Sequence, residues 1–117
     1  MAIAFSLGPM ETGGGVKEYD LYVPLLYNDG EPVEAEKLSR LKTRLIDQFG
    51  GLTHFPQENE GFWKIGNVSF RDQIVILRVL TDEPLKAQLF LAQIKKEMKK
   101  DWQQQDVLIV AREVKIV

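Results

Sequence analysis

The sequence V-S-F-R-D-Q-I-V-I-L-R-V-L, residues 68–80, decides the fold of this chain. It is the longest apolar strand pattern in the sequence, and it contains the unbroken run I-V-I-L at residues 74–77. Successive side chains of a strand point to opposite faces of a sheet, so an unbroken apolar run predicts a strand covered on both faces. We therefore predict that residues 68–80 form a central strand.

A first strand is predicted over residues 19–26, where the run Y-D-L-Y-V-P-L-L alternates. Leu21, Val23 and Leu25 share one face, and the opposite face carries Asp20, Tyr22 and Leu26. Pro24 cannot donate a ladder hydrogen bond, which predicts an unpaired position or a bulge there.

A helix is predicted over residues 34–49, after the turn signal N-D-G at residues 28–30. Its apolar residues recur every three or four positions and form one stripe, made of Leu38, Leu41, Leu45 and Phe49. The pair Gly50–Gly51 predicts a clean helix end.

The remaining segments complete the pattern. Residues 52–56 and 62–65 predict a second strand, interrupted at the polar residues 57–61 by a loop or a bulge, and Gly66–Asn67 predicts a tight turn. A second helix is predicted from about Pro84 to Asp101, with an apolar side of Ala87, Phe90 or Leu91, Ile94 and Met98. Residues 105–117 predict the last strand.

The order β-α-β-β-α-β predicts an α+β, ferredoxin-like split βαβ fold, with a four-stranded antiparallel sheet and both helices on one face. The other face would then be open. We expect it to carry Asp72, Ile74, Ile76 and Arg78 from the third strand, with Tyr22 and Leu26 from the first. Such a face is too apolar to remain exposed to solvent, so we predict that the chain forms a homodimer through it. The alternative is that the N-terminal tail or residues 114–117 cover this face.

Composition limits the classes of function. At 117 residues, with 44% hydrophobic residues, the chain is long enough for one core, and we predict a flexible tail over residues 1–16 and a single domain over residues 17–117. The absence of cysteine excludes disulfides and thiolate chemistry. A formal net charge of −2 makes nucleic acid an unlikely partner, and apolar runs too short to span a bilayer predict a soluble, cytoplasmic protein.

Six residues are the predicted site candidates. The catalytic candidates are His54, the one histidine of the chain, and Asp72 and Tyr22. The ligand-binding candidates are Trp63, Phe62 and Arg78, because aromatic rings beside residues 57–61 could wall a pocket. The sequence predicts no metal and no cofactor.

A lysine-rich segment and a glycine run have plainer interpretations. The four lysines at positions 95, 96, 99 and 100 with Trp102 could bind RNA, but cations also stabilise a helix C-terminus, and neighbouring acids dilute this patch. The run Gly13–Gly15 is interpreted as a linker because no phosphate-loop Lys-Ser/Thr follows it.

Short motifs over residues 19–110 resemble a pattern in small uncharacterised bacterial proteins. They are F-G-G-L-T at residues 49–53, G-F-W at 61–63, R-D at 71–72 and Q-Q-D-V-L at 104–108. The resemblance implies a ferredoxin-like fold and no established activity. Many of those proteins are secreted, and this chain departs from them in showing no signal segment.

Two hypotheses about function follow. The first is a non-enzymatic, homodimeric domain that binds a small molecule or a protein, with its site between the open face and residues 57–63. The second is a cofactor-independent enzyme of the dimeric α+β barrel type, an isomerase or a small oxygenase-like enzyme, with His54 or Asp72 as base and Tyr22 as proton donor.

Overall fold

The computed structural model describes residues 15–65 and 68–117, without the side chains of residues 58, 59, 63, 65 and 68–71. Of the predicted tail over residues 1–16, residues 1–14 lie outside this description, as does the predicted turn at residues 66–67, whereas Val16 already belongs to the first strand. The elements follow in the predicted order: β1 (Val16–Pro24), α1 (Ala35–Phe49), β2 (Thr53–Ile65), β3 (Val68–Thr81), α2 (Pro84–Asp101) and β4 (Ile109–Val114).

The four strands form one antiparallel sheet in the order β2-β3-β1-β4. The two inner strands are therefore β3 and β1, which confirms the central position predicted for residues 68–80. This strand order with two helices on one face is the ferredoxin-like α+β fold predicted from the sequence. Neither helix of the described chain is long and apolar enough to cross a membrane.

The core lies between the sheet and the two helices. β1 and β3 contribute alternate residues to it, and each helix contributes the stripe predicted from its spacing. Its members are Tyr19, Leu21, Val23, Val75, Leu77 and Val79 from the sheet, Leu41, Leu45 and Phe49 from α1, and Ala87, Leu91, Ile94 and Met98 from α2. Trp102 and Val107 follow α2 and complete the core.

Helix α1 ends where the sequence predicts. Gly50 adopts φ +80°, a left-handed conformation that glycine reaches without a Cβ penalty, and its N–H donates to the Ile46 carbonyl at 2.7 Å. The chain then turns directly into β2.

Pro24 closes β1 without a bulge. On this strand the N–H of Tyr22 donates toward the β4 side, to Leu108, and the N–H of Leu25 donates to Gln73 of β3. The nitrogen of Pro24 therefore points to the β4 side, where strand pairing has already ended at Leu21. The missing N–H costs no ladder bond because no strand is there to receive it.

Three predicted boundaries were wrong. β1 ends at Pro24, so Leu26 is not on the open face; it forms a separate bridge with Pro32. β4 covers only Ile109–Val114, because its pairing with β1 begins at Ile109 and ends at Val114. Residues 57–61 belong to β2, so the predicted loop there was wrong, whereas the alternative, a bulge, is confirmed as a register shift between Phe55 and Asn59.

The β2–β3 hairpin extends past the rest of the sheet. β1 pairs with β3 only as far as Ile74, while β2 stays paired with β3 from Asn59 to Ile65. We call the paired segments 59–65 and 68–73 the hairpin arm. A two-stranded arm is only marginally stable by itself in water, so packing against another surface would increase its stability.

Candidate functional site

The open face of the sheet carries a network of four charged side chains at one end. Arg78 binds Asp20 through two hydrogen bonds, 2.8 Å from Nε and 3.0 Å from a terminal nitrogen, and its Nε lies 3.1 Å from Glu18. Arg112 donates to Asp20 at 2.9 Å and to Glu18 at 3.2 Å. The sheet register produces this arrangement, because Asp20 pairs with Arg78, and Glu18 pairs with Arg112.

We call these residues the charge network, and its charges cancel: two carboxylates face two guanidinium groups. Asp20 is buried, with 3% of its side chain exposed. Hydrogen bonds from Arg78 outweigh the effect of burial and hold the pKa of Asp20 below its ordinary value, and Arg112 acts in the same direction. Arg78 also lies over the Phe55 ring, 4.9 Å from its centroid. The predicted ligand residue Arg78 is therefore already engaged within the protomer.

The middle of the open face is apolar. Ile76 lies between Tyr22 of β1 and Phe55 of β2 in the register, and Ile74 follows on the same face. All four side chains are only partly buried in the protomer. An apolar stripe bordered by ion pairs is typical of a surface that meets another protein.

Asp72 lies on the open face at the base of the hairpin arm, opposite Gly61. It is 7% exposed, and burial raises the pKa of its carboxyl group. Four residues separate it from Ile76, the register partner of Tyr22, which corresponds to about 13 Å along a strand. Asp72 and Tyr22 share the open face but are not neighbours in the register.

His54 lies on the other side of the sheet. It pairs with Leu77, whose side chain is in the core under the helices. His54 lines a pocket of about 390 Å³, together with apolar residues from the chain after β1, from α1 and from β2. The apolar lining consists of Leu25, Leu26, Pro32, Val33, Ala35, Leu38, Pro56, Val75 and Trp102.

The polar contacts of His54 come from α1. Lys42 Nζ lies 3.0 Å from His54 Nδ1, while Nε2 is buried and has no hydrogen-bond partner in the described part of the chain. Burial, and then the nearby charge of Lys42, lower the pKa of His54. A mostly apolar pocket with one unpaired polar atom is the usual composition of a small-molecule site.

A polar cluster stands beside the entrance of this pocket. Glu34, at its lining, accepts a hydrogen bond from the Tyr27 hydroxyl, which in turn accepts one from Lys37 Nζ at 2.7 Å. Lys37 also donates to the Asp101 carbonyl at 2.6 Å and so ties α1 to the end of α2. These contacts fix the position of one pocket wall.

The structure divides the predicted site residues between the two faces. Tyr22, Asp72 and Arg78 share the open face, whereas His54 lies under the helices, so the predicted pairing of His54 with Tyr22 as base and proton donor is not formed in one protomer. Phe62 follows Gly61 in the strand, so its side chain lies on the opposite side of the hairpin arm, the helix side, and is 71% exposed. Trp63 pairs with Phe70, and its side chain lies outside the described residues.

Sequence reasoning missed Trp102 as a pocket residue and Lys42 as the residue that contacts His54. Lys42 lies off the apolar stripe of α1, and only the packing of α1 on β2 brings it to His54. The lysine-rich segment suggests Trp102 as a base-stacking residue, but it is buried in the core and held there by the sequence that follows: Gln104 donates to its carbonyl at 2.9 Å. Across residues 15–65 and 68–117, no group of three or more side chains could hold a metal ion.

Comparison with solved structures shows a likeness to a phage enzyme. A phage SAM lyase, solved in complex with S-methyl-5'-thioadenosine, superimposes with a TM-score of 0.63. The chain shares the fold of this lyase. The match covers 96% of this chain and 88% of the lyase chain at 16% sequence identity, so it establishes the fold alone. No family model and no curated protein matches the sequence, so its resemblance to small uncharacterised bacterial proteins stays a prediction.

Proposed function

We propose that this chain is a homodimeric small-molecule-binding domain. Two copies pack through their open faces, and each copy binds its ligand in the pocket around His54. The observation that carries the proposal is the position of this pocket on the helix side of the sheet. Association through the open face leaves it accessible.

The open face suits a second copy of the same chain. In a two-fold interface the same patch meets itself, so a patch with net charge would repel its copy. The charge network has none, because Glu18 and Asp20 balance Arg78 and Arg112. The apolar stripe around Ile76 would then be removed from water, which is the driving force of association.

The hairpin arm supports the same arrangement. It reaches beyond the part of the sheet that β1 covers, because β1 pairs with β3 only as far as Ile74. A partner sheet would cover the arm and supply the packing that two strands lack by themselves.

The binding of a small molecule is supported by the pocket's size and lining. Its volume of about 390 Å³ falls within the range typical of ligand sites, and its walls are largely apolar with few polar atoms. The phage lyase of the same fold is known with a small nucleoside ligand.

Solution mass measured by light scattering tests the dimer. Wild type should have about twice 13.4 kDa, and Ile76→Asp should be monomeric, because it places a charge in the middle of the apolar stripe. Leu89→Asp is the matched variant: Leu89 is 77% exposed on α2, and this variant should stay dimeric. A monomeric wild type, or a dimer broken by Leu89→Asp and not by Ile76→Asp, would refute the open face as the interface.

Fluorescence of Trp102 tests the pocket. The chain has two tryptophans, so Trp63→Phe leaves Trp102 as the only reporter. Naphthalene, an uncharged apolar probe, should change this fluorescence saturably, and Val33→Phe should weaken the binding by filling the pocket. Val114→Phe, at the far edge strand, is the control. No saturable change with naphthalene would refute the pocket as a binding site.

The buried carboxyl group of Asp72 favours a second candidate, a cofactor-independent enzyme. A buried carboxyl group whose pKa is raised is a candidate for proton transfer, and in a dimer it would lie close to the interface. Because a phage SAM lyase has a similar fold, SAM is the first substrate to test, with chromatographic detection of S-methyl-5'-thioadenosine. This candidate requires turnover by wild type that Asp72→Asn abolishes without changing the solution mass.

A further inference from the structure

The contact between Lys42 and His54 determines which ring nitrogen carries the proton. A lysine ammonium group only donates hydrogen bonds, so Nδ1, 3.0 Å from Lys42 Nζ, must accept. A neutral imidazole with an accepting Nδ1 carries its hydrogen on Nε2. His54 is therefore a fixed hydrogen-bond donor at Nε2.

This tautomer argues against the role of base that the sequence predicts for His54. The lone pair that could take a proton is at Nδ1, and it is occupied by Lys42. Protonation of the ring would also bring a second positive charge next to the ammonium group of Lys42 in a half-buried place. The ring can give a hydrogen bond, but it is poorly suited to abstract a proton.

His54 Nε2 is a buried polar atom at the pocket that still needs a partner, and Gln73 also belongs to the lining. Nε2 is buried without a partner in the described residues, whereas Glu34, the carboxylate of the lining, already accepts from Tyr27 and contacts Lys37 at 3.5 Å. An unpaired buried donor is unfavourable, so an acceptor that reaches Nε2 gains the free energy of that missing bond. Shifts of side chains at the rim, which are common on binding, would open the way.

We propose that the pocket binds a neutral, mostly apolar molecule through one acceptor, such as a ring nitrogen or a carbonyl oxygen, that pairs with His54 Nε2. The inference rests on the proposed function and names its ligand class. The apolar walls, including Trp102, Leu38 and Val33, exclude charged molecules because few groups there could compensate a charge.

Quinoline and naphthalene form a matched pair of probes, since they have the same shape and differ in one acceptor nitrogen. In the Trp63→Phe background, quinoline should bind at least about tenfold more tightly than naphthalene, the difference expected from one satisfied hydrogen bond. His54→Phe keeps a ring and removes the donor, so the two probes should bind it equally.

Variants of Lys42 test whether the tautomer is the cause. Lys42→Met frees Nδ1, so quinoline should lose most of its advantage over naphthalene, and Lys42→Arg should retain it, because guanidinium also only donates. The chain has one histidine, so long-range ¹H–¹⁵N correlation spectra report its tautomer without ambiguity. They should show hydrogen on Nε2 in wild type and in Lys42→Arg.

The outcomes separate the inference from the proposed function. Equal binding of the two probes to wild type, or hydrogen on Nδ1, overturns the inference and leaves the pocket as a binding site. Binding of neither probe overturns both. Quinoline preference that survives His54→Phe also overturns the inference, because the acceptor would then be recognised elsewhere.

Discussion

Asp20→Asn is the perturbation that tests the charge network most directly. The substitution keeps the shape of the side chain and removes its charge, so an amide NH₂ group faces guanidinium donors. Asp20 accepts three charge-assisted hydrogen bonds, two from Arg78 and one from Arg112, at 2.8–3.0 Å. The substitution weakens or removes all three of these hydrogen bonds.

The expected cost follows from these bonds and their exposure. A hydrogen bond to a charged group contributes about 1.5–3 kcal/mol when it is shielded from water. The side chains of Arg78 and Arg112 are 34% and 43% exposed, however, so solvent can replace part of what they lose. We expect Asp20→Asn to lower the free energy of unfolding by about 2 kcal/mol after this screening. In a domain of this size, that lowers the melting temperature by about 8 °C.

Urea unfolding at pH 7 and at fixed protein concentration measures this difference. Glu97→Gln is the control, because Glu97 pairs with Arg44 on the helix surface, where an ion pair contributes at most about 1 kcal/mol. The reasoning is refuted if Asp20→Asn costs no more than Glu97→Gln.

The pH dependence gives a second test of the same variant. The pKa of Asp20 is lowered in the folded chain, so its contribution is complete above the unfolded value of about 3.9 and is lost as pH falls through the lower folded value. Wild type and Asp20→Asn should therefore converge in stability as pH falls below about 3.9. A difference that stays constant down to the lowest pH at which the chain folds would mean that the charge of Asp20 is not its source.

Three further predictions concern the core, the histidine and the helix end. Leu77→Ala, at a fully buried position, should reduce the free energy of unfolding, measured by urea denaturation, by about 2–5 kcal/mol. Leu89→Ala, on the surface, should reduce it by less than about 0.5 kcal/mol. The pKa of His54, measured by NMR, should lie below its ordinary value of about 6.5, so wild type should lose stability as pH falls below about 6.5. Lys42→Met should raise the pKa of His54. An unchanged pKa in this variant would exclude the charge of Lys42 as a cause of the shift. Gly50→Ala, at φ +80°, should cost about 1 kcal/mol by thermal unfolding, and an unchanged melting temperature would contradict the need for glycine there.

The element order could be predicted because local patterns determine it. The helix stripe from Leu41 to Phe49 and the strand run from Ile74 to Leu77 are each visible within a few turns or residues. The alternation of the strands also predicts that Asp20 and Arg78 share the open face. Their bidentate pairing could not be predicted, because it depends on the register between β1 and β3, which the whole sheet determines.

The pocket could not be predicted from the sequence for a similar reason. His54 is a candidate because it is the one histidine, but its contact with Lys42 arises only when α1 packs on β2. The polar residues 57–61 indicate a break locally, yet Asn59, Glu60 and Gly61 pair with β3 after one register shift. In both cases tertiary contacts override what the neighbouring residues indicate.

The charge network also determines how fast two copies could meet. Because its carboxylates and guanidinium groups already neutralise each other, the charge network adds little to the field of the open face and does not steer approaching copies. Encounter would then proceed near the unsteered rate of about 10⁵–10⁶ M⁻¹s⁻¹ and depend little on ionic strength. The lifetime of the pair, rather than its rate of formation, would respond to substitutions in the apolar stripe.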